Sequence, residues 1–431
     1  MKGPRTVAPD ARKAERSWIL YDVANSAFVL IIVTAVGPLF FKDVISYGVD
    51  DAVSTRNWGY ANSVASLILA VMAPVMGALA DYRGVKKRFF TLFVGVGILS
   101  TLLVPSAAAG RWLLFLALYV IARTAYAGAN VFYDAFLVDV AGGDRMDWVS
   151  SSGYAWGYIG SVVPFLAVVG LILADPSRAG GDALPEGPGR IAFVIVALWW
   201  ALFSVPALRH VRQRHGLDPG SHPVRDSLAR LGGTFREIRR YRRVFLFLAA
   251  YFFYIDGVDT IITMCTTYGR DNELGAVTLL AAVLMIQVVA FPFALLYGKL
   301  AGRFGARRML YAGIGIYIGV TLAAFFLSDV PVGGMRTGMF FALAFFAATS
   351  LGGIQALSRS MFAGLIPTER SAEFFGFYNV FGKFATVLGP FLMGYLTGVT
   401  GQPRYGTLGV LVLFVAGAAL LAWSSRSAPE G

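Results

Sequence analysis

Hydrophobic positions along this chain fall in long unbroken runs, separated by short clusters of charge. Apolar stretches lie near residues 17 to 41, 57 to 80, 89 to 108, 111 to 141, 150 to 174 and 190 to 208. A second set lies near 244 to 266, 274 to 297, 309 to 328, 337 to 358, 373 to 396 and 405 to 424. Each run approaches the ~20 residues needed to cross a ~30 Å hydrocarbon core. A segment in lipid must satisfy its own backbone hydrogen bonds, which leaves helices or a closed barrel, and these runs lack the strict alternation of barrel strands. The pattern therefore predicts an all-α polytopic membrane protein of twelve spans. It divides into a tail 1–16, a six-helix bundle 17–208, a basic linker 209–243, a second bundle 244–424 and a tail 425–431.

Composition agrees, with 57% apolar residues, 14% charged residues and a mean hydropathy of +0.65. A soluble domain carries roughly a quarter charged residues. The first polar residues lead into a long apolar segment interrupted by Asp22 and Asn25, unlike the short apolar core of a cleaved signal, so it reads as span one. With these boundaries, 27 of the 37 Lys and Arg fall on one side of the membrane and 8 on the other, leaving Arg123 and Lys383 inside spans. The positive-inside rule then puts both termini and the linker in the cytoplasm, and the protein is expected in the inner (plasma) membrane as a multi-pass protein. The net charge of +12 is distributed as such topology signals beside anionic lipid, with no folded basic domain, so nucleic acid is not expected as a partner.

Three pairs of segments suggest an internal duplication. Gly77 to Arg88 and Gly298 to Arg308 share a glycine, small-residue and basic pattern at an offset of 221. Asp22-x-x-Asn25-Ser26 and Asp256-x-x-Asp259-Thr260 differ by 234, and Pro164-Phe-Leu and Pro390-Phe-Leu by 226. A duplicated six-helix unit is the mark of several transporter folds.

Charge inside a span is costly, at least ~2.5 to 3.5 kcal/mol on insertion scales, so it marks candidate sites. In span four, Arg123, Tyr126, Asn130 and Asp134 recur at i, i+3, i+7 and i+11 and share one helical face. Helical rise places Arg123 ~18 Å deep. Two readings compete there: a cation that holds a substrate carboxylate, and a structural ion pair with an aspartate of a neighbouring helix. In span seven, Asp256, Asp259 and Thr263 again share a face at mid-depth. Two nearby carboxylates in low dielectric do not easily both ionise, which suits proton coupling, while a sodium site using Thr260 or Thr263 is the main rival. Asp22 and Asn25 occupy the related place in span one, with Asp22 nearer the membrane surface and readable as a gate residue. Lys383, deep in span eleven, must pair, snorkel or bind an anion. Tyr378 and Gln355 are further residues for shaping a solute site. The three histidines, His210, His215 and His222, share one hydrophilic loop, and Cys265 is the only cysteine. No metal, cofactor or disulfide is expected, and the absence of a Ser/His or metal-ligand arrangement in the spans disfavours a membrane enzyme. A transporter-like sensor that moves nothing remains the other rival.

The Gly77 to Arg88 loop resembles the signature loop of the major facilitator superfamily: a glycine, a small-residue spacer, Asp81, then Arg83-Gly84 and a basic cluster. Four further segments narrow the resemblance: Trp18 to Phe28, Tyr254 to Gly257, Gly352 to Arg359, and Glu373 to Lys383. Together they look like the bacterial branch similar to the autophagy-related vacuolar effluxers, whose fungal members resemble exporters of amino acids. The resemblance implies a major-facilitator fold of two pseudo-symmetric six-helix bundles, and a monomeric secondary transporter of a small-molecule solute driven by a coupling ion, with no cofactor. It also implies that Asp81 faces the start of span eleven near Glu373, with Arg83 near Asp139 at the end of span four, as a gate latch. Arg359 is a further gate candidate. The second copy of the loop has Gly302 in place of the aspartate.

Overall fold

The computed structural model describes residues 9–176, 184–218, 223–236, 241–274 and 276–426. Parts of the expected tails (1–8 and 427–431) and of the linker (219–222, with His222, and 237–240) lie outside the described residues. Among the described residues, twelve helices are long and apolar enough to cross a membrane: Asp10–Ile45, Arg56–Ala80, Val85–Ser106, Trp112–Val140, Arg145–Ala174, Glu186–His210, Arg242–Cys265, Ala281–Phe304, Ala306–Asp329, Gly334–Leu365, Thr368–Thr400 and Pro403–Ser424. They are spans one to twelve below. The structure corrects three expectations about their limits. Span eight runs past 297, because its helix, Ala276–Phe304, continues through Gly298 and ends at Phe304. Span ten runs on past 358 to Leu365, which draws Arg359 from the loop into the helix, where it is 1% exposed. His210 is the last residue of the sixth helix and contacts Ser17 at 3.2 Å rather than lying in the loop. Hydropathy stops counting at a charge, whereas a helix continues until a proline, a glycine or a cap ends it.

The chain packs as two compact units. One holds 1–141, 156–227 and 368–376, and the other holds 142–155, 228–367 and 377–431. In the first unit, span one packs on six, two on four, three on four, and three on six. In the second, span seven packs on twelve, eight on ten, nine on ten, and nine on twelve. Each pairing recurs with six added, so the repeat seen in three short motifs extends to the packing of whole helices.

Span one departs from α geometry. Residues Phe28–Ala35 and Phe41–Ile45 are π-helical, either side of a short α turn at Val36–Phe40. Gly37-Pro38 lies between them: proline has no N–H to donate, and the bare Gly37 lets the Ile32 carbonyl lean across the helix where a side chain would stand. The described part of the linker is structured. It carries a helix, Pro223–Arg236, and Leu217 pairs with Tyr82 as the only β-bridge among the described residues.

Without a hydrophobic drive between helices in lipid, small residues set how close they approach. A side chain added at Gly376 of span eleven would meet the Ala73 carbonyl oxygen of span two at 2.7 Å, whereas one added at Gly302 would meet nothing within 4 Å. Gly376→Ala is therefore expected to lower stability by about 1–3 kcal/mol. Gly302→Ala is expected to leave it unchanged or to raise it by up to about 1 kcal/mol. Thermal unfolding of the purified variants in detergent measures both.

Candidate functional site

In the first unit the polar residues of spans one and four meet. Asn25 Nδ2 donates to Asn130 Oδ1 at 2.8 Å, and the Tyr133 hydroxyl donates to Asp22 Oδ2 at 2.6 Å. Trp18 fixes Tyr133 from behind, with Nε1 on the Tyr133 carbonyl at 2.8 Å and its ring stacked at 4.4 Å. Tyr126 is buried between Phe28 and Trp200, at 5.1 and 6.1 Å between ring centroids. Asp22 and Asp134 are both buried. Arg123, at the other end of the same face, is half-buried beside Tyr119, whose hydroxyl donates to Asn62 at 2.8 Å. Among the described residues Arg123 has no acidic partner within 4 Å. The structural ion pair weighed from sequence is thus not formed. Tyr133 follows Tyr126 by seven residues and so shares the polar face, but its spacing alone does not identify it as the partner of Asp22.

In the second unit Asp256 is fully buried, and both its oxygens accept the Gly389 N–H, at 3.0 and 2.9 Å. Thr260 Oγ1 adds a contact at 3.4 Å. Pro390 has no N–H and interrupts the helix ladder of span eleven, and the carboxylate serves the donor next to that break. Gly389 is required there, because an added side chain would stand 1.9 Å from Thr260 Oγ1. Asp259, half-buried, lies within electrostatic reach of the Lys383 cation and of Asp256. Thr263 donates to the Asp259 carbonyl at 2.7 Å. Tyr378 stacks on Tyr251 at 4.3 Å and on Phe362 at 4.9 Å, and Gln355 lies half-buried on span ten. An apolar cavity of about 70 Å³, lined by Thr260, Cys265, Tyr268, Phe340 and Met393 among others, was not foreseen.

The loop after span two is built around Asp81. Its Oδ1 accepts the Ala372 N–H at 2.8 Å and its Oδ2 the Glu373 N–H at 3.1 Å, two of the donors that a helix start leaves unpaired. Gly77 permits the approach: a side chain there would lie 2.3 Å from the Ala372 carbonyl oxygen. Gly84 turns the chain with φ +80°, and its N–H donates to Gln213 Oε1 at 2.9 Å. The resemblance put Arg83 against Asp139, and the structure corrects this. Arg83 is 69% exposed and pairs with Asp218 at 3.3 Å, while the fully buried Lys86 takes Asp139 at 2.9 Å and Ser371 at 2.8 Å. The Gly84 turn directs the first turn of span three inward, so the second basic position, Lys86, and not the first, reaches the acid. Asp139 also accepts the Arg214 and His215 N–H groups at 2.7 and 2.8 Å. Glu373 is paired with Arg370 at 2.7 Å. Burial pushes the Asp81 carboxyl up to about 7, against the pull of Lys86 and the two N–H donors and with a further push from Glu373.

The second unit holds the duplicated counterpart. Gly298 lies against Ser151, and Ala372 and Ser151 stand at the same offset of 221 as the two glycines. With no aspartate at Gly302, the contact is made from span ten. Arg359 Nε donates to Ser150 Oγ at 2.9 Å, Nη2 to the Ser150 carbonyl at 3.0 Å, and its guanidinium lies 4.3 Å over Tyr154. Ser360 donates to Asp147.

Comparison with known proteins places this geometry. Residues 55–428 match the family described as "Vacuole effluxer Atg22 like". The chain is 46% identical over 415 residues to the uncharacterized MFS-type transporter YxiO of Bacillus subtilis (strain 168), covering 95% of this chain and 94% of that one. It is 24% identical over 479 residues to Autophagy-related protein 22 of Coccidioides immitis (strain RS), covering 92% and 77%. Its fold matches the E. coli fucose:proton symporter FucP with a TM-score of 0.73 at 14% identity, over 98% and 99% of the two chains. The proton:xylose symporter XylE matches at 0.70 and 12%, over 97% and 96%. Twelve spans, a repeated packing pattern and a family match over most of the length lead to one conclusion: the chain is a major facilitator transporter and belongs to the Atg22-like family.

Proposed function

We propose that this transporter moves a small polar solute, with amino acids and related metabolites the first class to test, by alternating access and with proton coupling. It would sit in the plasma membrane with both termini and the linker cytoplasmic. One observation carries the reading. Of the described charged side chains that lie well inside the spans, away from their ends, Asp22, Asp134, Asp256 and Arg359 are sealed by protein, while Arg123, Asp259 and Lys383 are only half-buried. A charge facing hydrocarbon is too costly, so half-exposed charges in spans mark a watered path. Arg123 without an acidic partner suits the carboxylate of a solute. Asp259, between a cation and an anion, suits a group that changes protonation as its surroundings change, whereas Asp256 is committed to the Gly389 backbone. A zwitterionic solute fits such a set of opposite charges, and the family description as effluxers supports export as the direction.

A thermal-shift screen of metabolites on the purified protein identifies the solute, because a ligand stabilises the fold by RT ln(1 + [L]/Kd). With the solute in hand, Asp259→Asn in proteoliposomes is expected to abolish accumulation driven by a pH gradient and to leave counterflow intact, since counterflow moves no net proton. If neither Asp259→Asn nor Asp256→Asn alters the response to a pH gradient, or a sodium gradient alone drives uptake, the proton assignment fails.

The Asp81 cluster acts as the latch that must release during the cycle. Asp81→Ala leaves two buried N–H groups without an acceptor, at about 1–3 kcal/mol each. Hydrogen exchange of the peptide 368–376 should lose protection at Ala372 and Glu373 in this variant, less in Asp81→Asn, and not in Arg83→Ala. Because burial raises the Asp81 carboxyl from about 4 to about 7, the latched form binds the extra proton across that window and is weakened as pH rises through it. Protection, corrected for intrinsic exchange, should therefore fall between pH 5 and pH 8 in the native protein and stay flat in Asp81→Asn. Equal protection in all variants would sink the latch.

A further inference from the structure

Beside the latch, between the start of span three and the end of span six, lies an open groove of about 800 Å³. Lys87, at its inner edge, is already committed. Its ammonium donates to the Ala207 and Val211 carbonyls, both at 2.7 Å, and so closes the end of the sixth helix. Arg88, Arg209 and Arg212 also line the groove and are exposed, with no acidic partner within 4 Å among the described residues. Arg212 lies close enough to Lys87 for the two cations to repel. Like charges gathered without a counter-charge are an unmet demand for an anion. The groove continues onto Leu92 and Leu208, and Leu92 is 55% exposed on the apolar surface of span three. Guanidinium groups at the ends of two spans, in one groove with the exposed Leu92 and the half-buried Leu208, match a molecule with an anionic head and an apolar body.

We propose that this groove is a binding site for the phosphate headgroup of an anionic membrane lipid. Arg88, Arg209 and Arg212 hold the phosphate, and Leu92 and Leu208 receive the first methylenes of an acyl chain. Only the choice of leaflet rests on the orientation proposed above, and the site is read by binding without any flux, so its failure and the failure of the transport reading are separable.

The test uses the full-length protein in neutral detergent, titrated with phosphatidylglycerol, with phosphatidylcholine, and with inorganic phosphate as competitor, and read by native mass spectrometry. Phosphatidylglycerol should bind more tightly than phosphatidylcholine and resist displacement by phosphate. Each cation near an anionic surface contributes ~1 kcal/mol, so each Arg→Gln change should weaken binding about fivefold and the triple variant about a hundredfold. The control triple Lys299→Gln, Arg303→Gln, Arg308→Gln removes exposed cations from the duplicated loop and should stay within about twofold of native. All six positions are exposed, so unfolding is not the expected cost, and the single variant Arg212→Gln serves if the triple fails to fold. Equal loss in both triples would reduce the effect to diffuse surface charge. Displacement by phosphate would make it a free-anion site, and equal affinity for the two lipids would remove the site altogether.

Discussion

A backbone group freed inside a membrane protein has no water to turn to, and much of the polar chemistry of this chain answers that one constraint. Asp81 receives the first N–H groups of span eleven, Asp256 the N–H beside Pro390, and Lys87 the last carbonyls of span six. Arg336 does the same at the far end of the second unit, donating to the carbonyls of Val330 and Asn272 at 2.9 and 3.0 Å. Each charge stands where a helix begins, ends or breaks.

How far the sequence could be read follows from which interactions leave a mark on residue identity. Twelve spans were legible because apolar length is written in every residue, and the repeat because its glycines and charges recur at constant offset. The pairing of Asn25 with Asn130 lay within reach, since both stood on polar faces. The partner of Asp256 did not, because a backbone N–H has no letter of its own; the Gly389-Pro390 dipeptide was the only hint that a donor would be stranded there. Lys86 was hidden for a different reason. A cluster of four basic residues at a span boundary, Arg83, Lys86, Lys87 and Arg88, reads uniformly as surface charge, and only the left-handed turn at Gly84 decides which of them points inward.

The two halves of the duplication have answered the same geometric need with different chemistry. In one, a carboxylate accepts from a helix start and a lysine–aspartate pair is sealed beneath it. In the other, an arginine from span ten spans the gap that the missing aspartate leaves, resting on Tyr154 and Ser150. The first contact changes strength with protonation, because Asp81 titrates near neutrality. The second, built on a guanidinium that stays charged, does not. The Asp81 contact is thus sensitive to pH, and the guanidinium contact of Arg359 is not.

The π-helical turns of span one carry a consequence of their own. A turn that closes on the fifth residue instead of the fourth holds one residue more than the α repeat, and everything beyond it is rotated by about a quarter of a circle. Asp22 and Asn25 lie before the first such turn and Phe40 after it. Their angular relation is therefore set by how many wide turns lie between them, and not by the count of residues alone. Tightening a single turn would re-aim one end of the helix while the other stayed docked, so span one can twist like a screw without being displaced as a rod.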